Sequence, residues 1–495
     1  MPRLQILFVV SECVPYAKTG GLADVAGALP AALADRGHDV RIVMPRYRVT
    51  KKHPAEPLNH TLIVPMGGGM AYGGVLTTQL PRSPAEERPA GAPPPPTATV
   101  YFLEHDQLYD RDGVYNDAHG DFGDNLARYT FLSRGALELS NSMGWKPDIV
   151  HVQDWPTSLV PVYLNTLYRD TPVGNAASIL TVHNLAYQGW FGADSFPVTG
   201  MSWDVFRNHG LERNGMLNVL QGGLVNSTIV STVSPTYAGE IQTREGGEGM
   251  DGLLRARGDV VGILNGIDES VWNPATDRHL AAHYSVKDLS GKAFCKAALQ
   301  REMGLAERPD VPLIGLVSRL AHQKGIDIFC AALDRLLHED IQVVVLGSGE
   351  GWAEDLFRRL THTTPHFRAH IGMNEPLSHR IEAGADLFLM PSRYEPCGLN
   401  QMYSQRYGTL PVVRAVGGLD DTVDHFQTGF KFQELSGSAL AQAVEWALHS
   451  YRHEPAQFRA MQLRAMRKPQ GWNHACRQYE AMFRLAMARR RSERR

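Results

Sequence analysis

Short, continuously apolar runs of strand length recur along this chain, each followed by a stretch of helical spacing, and the rhythm starts twice. Leu4–Val10 leads through a loop into Gly21–Arg36, where Leu22, Val25, Ala26, Leu29, Ala32 and Leu33 share one helical face. Gly37 then serves as a cap, and Asp39–Met44 is the next run. Asp148–Val152, Ser178–Val182 and Thr228–Val233 continue the series. Leu313–Val317, Gly325–His338 (helical), Ile341–Leu346, Asp386–Met390 and Leu410–Val413 repeat it. Strands that are apolar throughout, instead of alternating, are covered on both faces, which means parallel sheets between layers of helix. The pattern predicts an α/β chain of two Rossmann-like, doubly wound domains facing across a cleft. Open parallel sheets bind ligands beyond the carboxyl ends of their strands, so chemistry belongs in that cleft. Gly258, Gly262, Gly266 and Pro274 punctuate the end of the first block. The predicted limits are 1–252 for the first domain, 253–455 for the second and 456–495 for terminal helices with a basic tail.

Composition narrows the class. The chain has 495 residues, 43% hydrophobic and 20% charged, enough for large cores. A net charge of −3 argues against a surface built for nucleic acid. The Arg489–Arg491 and Arg494–Arg495 cluster reads as a solvated terminus. Five scattered cysteines with no CxxC spacing exclude a disulfide framework and give no zinc site. No run approaches the ~20 apolar residues of a membrane span. The apolar start is cut short by Glu12 without a cleavage site, so it does not read as a leader. These features predict a soluble, reduced, cytoplasmic protein without membrane partners. Pro81–Thr97 holds seven prolines and reads as an exposed, partly disordered loop.

Three loops carry candidate chemistry. Tyr16-Ala17-Lys18-Thr19-Gly20-Gly21-Leu22-Ala23-Asp24 joins a strand to a helix, with glycines that admit close approach, free helix N–H groups and a lysine. Val317-Ser318-Arg319-Leu320-Ala321-His322-Gln323-Lys324-Gly325 does the same in the second block, with a guanidinium that can fork phosphate oxygens. Each has a plain reading as a turn with an incidental cation. A cationic strand end in both halves favours a diphosphate gripped without a metal, since no DxD cluster follows a strand in either half. The third loop, Met390 to Asn400, places Glu395 beyond a strand end and Gly398 before a helix; Glu395 suits sugar hydroxyls or, plainly, a helix cap. His183-Asn184 and Asp154-Trp155 occupy two more strand ends. Gly347-Ser348-Gly349-Glu350-Gly351-Trp352 fails the dinucleotide fingerprint at Trp352.

Lys18-Thr19-Gly20-Gly21-Leu22, Thr181 to Gly189, Asn265-Gly266-Ile267-Asp268, Ser318-Arg319-Leu320 with Lys324-Gly325, and Pro391 to Gln401 together resemble the ADP-glucose-using starch and glycogen synthase family of bacteria. The resemblance covers almost the whole chain in order. It implies a GT-B fold and retaining transfer of glucose from ADP-glucose to an α-1,4-glucan such as glycogen, with no cofactor and no metal. It implies that Lys18, Gly20 and Gly21 meet ADP-glucose, that Arg319 and Lys324 neutralise the diphosphate, and that His183 lies beside the transferred sugar. Glu395, with Cys397, Gly398 and Leu399, would hold the glucose hydroxyls. Asp24 and Asp154 would line the donor and acceptor side, and Asn265 would also meet ADP-glucose. It further implies that the last helix crosses back to the first domain. A UDP-glucose-using relative and a catalytically silent glucan-binding protein are the rivals, and oligomeric state stays open. Three departures stand out: Met373 where the family usually has a tyrosine against adenine, and Gln153 and Pro156 around Asp154.

Overall fold

The computed structural model describes residues 2–81 and 97–494. Among these, a ten-stranded sheet forms the first lobe, in the order Val260–Gly262, Ile229–Thr232, Ala177–Val182, Ile149–Gln153, Gln5–Val9, Asp39–Pro45, Thr99–Glu104, Gly69–Gln79 and Glu56–Pro57, with Leu62–Met66 also paired to Gly69–Gln79. The first seven are parallel. Gln5–Val9 is central; the chain winds outward on one side, then returns to wind outward on the other. The strand order therefore reverses between Gln5–Val9 and Ile149–Gln153.

The second lobe has six parallel strands, in the order Phe367–Ile371, Gln342–Gly347, Leu313–Val317, Leu387–Met390, Leu410–Arg414 and Phe430–Phe432. Its reversal falls between Leu313–Val317 and Leu387–Met390. Each sheet thus has the doubly wound order, in which a crevice opens where the winding changes direction. The predicted strands lie within a residue or two of those formed, because fully apolar β-branched runs leave little choice of structure. The antiparallel margin was not foreseen. Its long strand Gly69–Gln79 is glycine-rich and half exposed, so it carries no apolar run. Gly73 is needed there, since a Cβ would stand 2.5 Å from the Glu104 carbonyl oxygen.

Two domain limits differ from those predicted. Residue 252 lies inside the helix Asp251–Arg257, and Val260–Gly262 still pairs with Ile229–Thr232, so the first sheet runs past it. Only one of the terminal helices returns to the first lobe. Pro455–Arg467 packs on second-lobe helices Asn400–Arg406 and Gly437–His453, whereas Trp472–Glu493 buries Trp472, Cys476, Tyr479 and Phe483 in the first lobe's core. We propose 263 and 468–471 as the two crossing points. The basic tail is solvated only in part: Arg491 and Arg494 are exposed, but arginines there are also engaged. Arg490 is buried and donates to Asn165 Oδ1 (2.7 Å) and the Gly174 carbonyl (2.8 Å), Arg489 pairs with Asp259, and Arg494 bonds Asn175 and the Arg169 carbonyl. The proline-rich loop expected over 81–97 lies, but for its two end residues, outside the described residues.

Candidate active site

Both winding reversals open into one interlobe cleft. At the first, the loop after Gln5–Val9 carries Glu12, Lys18, Gly20, Gly21 and Asp24, and the strand Ile149–Gln153 ends at Asp154. At the second, the loop after Leu313–Val317 carries Arg319 and Lys324, and the loop after Leu387–Met390 carries Ser392 to Leu399. The helices that follow, Gly21–Asp35, Ile326–Leu337 and Asn400–Arg406, have no capping side chain. Their first-turn N–H groups are left for other acceptors.

Glu12 fixes the glycine loop. This buried carboxylate accepts from Thr19 N (2.5 Å), Gly20 N (3.3 Å), the Thr19 hydroxyl (3.0 Å) and the Tyr115 hydroxyl (3.2 Å). Burial raises its pKa, against the pull of those bonds. Glu12 escaped sequence reasoning because it registered only as the end of an apolar run; its place just beyond the central strand was the available signal. Lys18, half exposed, pairs with Asp24 at 2.7 Å. Burial raises Asp24 while Lys18 opposes the shift.

His183, Asp154 and Gln153 form a second group. Asp154 has φ 54° and ψ −171°, a region nearly confined to glycine. It is held there by its own carboxylate, whose Oδ1 accepts from His183 N (2.6 Å) and Asn184 N (3.4 Å), and by Ser158 Oγ donating to its carbonyl (2.9 Å). Burial pushes Asp154 up to about 7 and His183 down to about 3, so the imidazole is neutral at neutral pH. His183 Nε2 lies 2.8 Å from Gln153 Oε1. The departure at Gln153 thus gives the histidine ring its hydrogen-bond partner.

In the second lobe, Lys324 Nζ donates to Glu395 Oε2 at 2.6 Å and Ser392 Oγ to the same oxygen at 3.1 Å, with Glu395 buried. The loop rests on Gly417 and Gly418. A Cβ on Gly417 would stand 2.0 Å from the Glu395 carbonyl oxygen and one on Gly418 2.1 Å from that of Cys397, so only glycine fits beneath it. Gly418 N donates to the Glu395 carbonyl at 3.1 Å. The Cys397 thiol contacts Asn265, and burial pushes it up to about 12, which keeps it protonated. Gly398 has φ +71°, as a non-glycine residue rarely does. Arg319 is exposed, and its guanidinium donates to Gln323 Oε1 at 3.0 Å. Its charge also acts on Tyr394, whose hydroxyl shares a hydrogen bond with Asn184 of the first lobe.

The lobes meet around these loops. Glu240 Oε1 accepts from Gly417 N (2.9 Å), and Asp421 accepts from Thr236 N (3.0 Å) and its hydroxyl (2.7 Å). The Cβ position of Gly21 lies 4.0 Å from Leu399 Cδ1, so the first lobe's glycine loop faces the second lobe's Glu395–Leu399 loop. The candidates therefore gather as Lys18 with Asp24, His183 with Asp154, Lys324 with Glu395, Asn265 with Cys397, and Gly21 with Leu399. Arg319 bonds Gln323, the sequence neighbour of Lys324, and the ion pair of this loop is Lys324–Glu395. Two of the glycines that imitated a dinucleotide motif serve packing: a Cβ on Gly347 would stand 2.0 Å from the Ser318 carbonyl oxygen and one on Gly349 2.4 Å from that of Leu320. Met373 is 92% exposed and offers no enclosed platform for a base.

Residues 5–256 match the family model of the starch synthase catalytic domain, and residues 303–461 that of the group 1 glycosyl transferases. A glycogen synthase of Anaeromyxobacter sp. is 50% identical over 98% of this chain and all of the relative. Glycogen synthase 1 of Geobacter sulfurreducens is 49% identical over 99% of this chain and 98% of the relative. This chain belongs to the starch and glycogen synthase family. The catalytic domain of starch synthase IV from Arabidopsis thaliana, solved with ADP and acarbose, superposes with a TM-score of 0.88 at 32% identity, covering 98% of this chain and all of that one. The two facing doubly wound lobes are the GT-B fold of that family, and the chain is a glycosyltransferase. No helix among its described residues is long and apolar enough to cross a membrane.

Proposed function

We propose that this starch and glycogen synthase family member works as a glycogen synthase, moving glucose from ADP-glucose to the non-reducing end of an α-1,4-glucan with retention at the anomeric carbon. The observation that carries the reading is the Lys324–Glu395 pair, 2.6 Å apart, in two loops at one winding reversal, facing the uncapped glycine loop of the other lobe. In this reading Lys18, Arg319 and Lys324 surround the diphosphate, with N–H groups at Gly20 and Gly21. Glu395 and the backbone from Cys397 to Leu399 hold the glucose hydroxyls. His183, Asp154, Asp24 and Asn265 line the sugar and acceptor side.

The chemistry follows from where charge grows. As the bond from anomeric carbon to phosphate oxygen lengthens, negative charge builds on ADP. Fixed cations there stabilise the transition state more than the ground state. A retaining reaction through a covalent intermediate needs a free carboxylate close to the anomeric carbon. Glu395 Oε2 is already engaged by Lys324 and Ser392, which suits orienting a sugar and steadying positive character on its ring. The acceptor hydroxyl then attacks from the face that ADP leaves, its oxygen forming the new bond while its proton passes to the departing phosphate oxygen. Protonated Cys397 supplies no thiolate. Closure of the lobes excludes water that would hydrolyse the donor. The reaction takes place in the cytoplasm, with nucleotide sugar and glucan as partners and no nucleic acid.

The test is incorporation of labelled glucose into glycogen from ADP-glucose, run beside UDP-glucose, with Lys18→Ala and Glu395→Ala as controls. ADP-dependent incorporation that both variants lose supports the reading. Full turnover by both variants sinks the site assignment, and a mass-spectrometric glucosyl–Glu395 adduct overturns the orienting role.

A further inference from the structure

Outside the cleft, the second lobe carries an open groove of about 410 Å³ between the helix Gly417–Thr422, the edge strand Phe430–Phe432 and the helix Gly437–His453. That volume lies within the range of small-molecule sites. None of the cleft residues described above lines it. Trp446 lines it and is 37% exposed; beside Trp446 stands Phe426, 38% exposed, with ring centroids 5.9 Å apart. His425, another lining residue, tilts against both rings and accepts from Lys431 N at 2.9 Å. The polar lining is a set of planar or paired groups. Gln433 and Gln442 are exposed amides, and Lys431 Nζ donates to Asp420 Oδ1 at 2.6 Å, which cancels their charges.

Phe426 is the most telling residue. Its backbone has φ +57°, a left-handed conformation that a bulky aromatic residue seldom adopts, closed by its N–H donating to the Gly429 carbonyl at 2.9 Å. The turn His425-Phe426-Gln427-Thr428 would be relaxed by glycine or asparagine at this position. Instead a large ring is held in a strained conformation and left partly in water beside a second exposed ring. Strain kept at an exposed aromatic position points to a ligand that the ring meets.

The chemistry of the lining selects the ligand class. A flat apolar ring matches the C–H face of a pyranose, and amides donate to and accept from adjacent ring hydroxyls while carboxylates accept from them. The lysine is paired and Glu434 adds an exposed carboxylate, so a phosphate or nucleotide finds no free lysine or arginine there. We propose that the Trp446–Phe426 groove is a second glucan-binding site, which holds a stretch of α-1,4-glucan away from the reacting end. It rests on the reading of the chain as a glucan-elongating enzyme. A polymer held at the groove stays near the cleft after each transfer, so the site raises the effective concentration of long acceptors and leaves short ones unaffected.

The full chain with Trp446→Ala and, separately, Phe426→Asn is compared with the wild type by retardation in native gels containing glycogen, by KM for glycogen, and by kcat with maltotriose. Asparagine tolerates the left-handed backbone, so Phe426→Asn keeps the unfolding temperature while removing the ring, which separates lost binding from lost folding. The expected result is weaker retardation and a KM for glycogen raised about tenfold, with kcat on maltotriose unchanged. Retardation and KM equal to wild type in both variants overturn the proposal. Absence of any transfer to maltotriose by the wild type overturns instead the functional reading on which it rests.

Discussion

Lys324 Nζ and Glu395 Oε2 are 2.6 Å apart although 71 residues separate them in sequence, because their loops leave adjacent parallel strands of the second sheet. Glu395 is the more buried partner, so truncating Lys324 strands a carboxylate away from water. Lys324→Ala and Glu395→Ala are each expected to lower kcat by about a hundredfold or more. The Lys324→Met/Glu395→Gln double variant recovers the thermal stability lost by the lysine variant but none of the activity. A double-mutant cycle on kcat and unfolding temperature checks this; rate effects that simply add would show that the two groups act independently.

Glu12 is expected to matter as much as any cation, through the loop it holds. Its carboxylate accepts from the Thr19 and Gly20 N–H groups at once. Both N–H groups reach the same oxygen, Oε2, so in Glu12→Gln the amide oxygen can still accept both while its NH2 faces the Thr19 and Tyr115 hydroxyls, and Glu12→Ala is the variant that frees the loop. A misplacement of about 1 Å in a positioning loop costs roughly a hundredfold in rate. Steady-state kinetics should show kcat/KM for ADP-glucose falling by that order in Glu12→Ala and by less in Glu12→Gln. A Glu12→Ala enzyme with normal kinetics would remove the positioning role.

How far the sequence alone could lead depends on what each residue answers to. The strands were legible because parallel, doubly covered strands are apolar throughout, and Leu313–Val317 formed at the predicted residues. The chemistry-bearing loops were legible because glycine and charge fall together at strand ends. Glu12 and the Gly417-Gly418 pair were not, since their importance lies in contacts with residues distant in sequence: Glu12 with Tyr115, Gly417 with the Glu395 carbonyl. The tail misled for the same reason. A run of arginines looks solvated until the carbonyls of Gly174 and Arg169 are seen to receive it.

Asp154 sets a pH dependence with a definite sign. Its carboxyl, raised to about 7, is ionised above that pH, when Oδ1 accepts from both His183 N and Asn184 N. Protonation below about 7 weakens both bonds and loosens the turn that holds the His183 ring. Activity is therefore expected to fall as pH drops through about 7, and Asp154→Asn to flatten that limb of the kcat profile. Stability runs the other way for this group: its raised pKa contributes stability fully present below 3.8 and lost as pH rises through about 7. His183, depressed to about 3, contributes stability present above 6.5 and lost as pH falls toward 3. The two oppose each other between pH 4 and 6.5, so the activity profile, measured with unfolding temperature alongside, is the cleaner readout. A profile unchanged in Asp154→Asn would detach the step from this residue.

Glu480 ties the last helix to the first lobe. Its carboxylate accepts from Arg36 Nε (2.7 Å) and Nη2 (2.8 Å) and lies 3.1 Å from His38 Nε2. The Arg36 bonds, and then His38, hold it down at about 2. A depressed carboxyl contributes stability above 4.5 that is lost as pH falls through about 2, so this clamp weakens only in acid. Charge-assisted bonds of this kind are each worth about 1.5–3 kcal/mol, and Glu480→Ala is expected to lower stability by about that much. Because the helix Trp472–Glu493 buries Trp472, Tyr479 and Phe483 against the first lobe, the variant should show faster amide exchange along that helix and little change in the strands Leu313–Val317 and Gln342–Gly347. The difference between variant and wild type should shrink as the pH is lowered toward 2. A difference that stays constant across that range would show that packing, and not the ion pair, holds the helix in place.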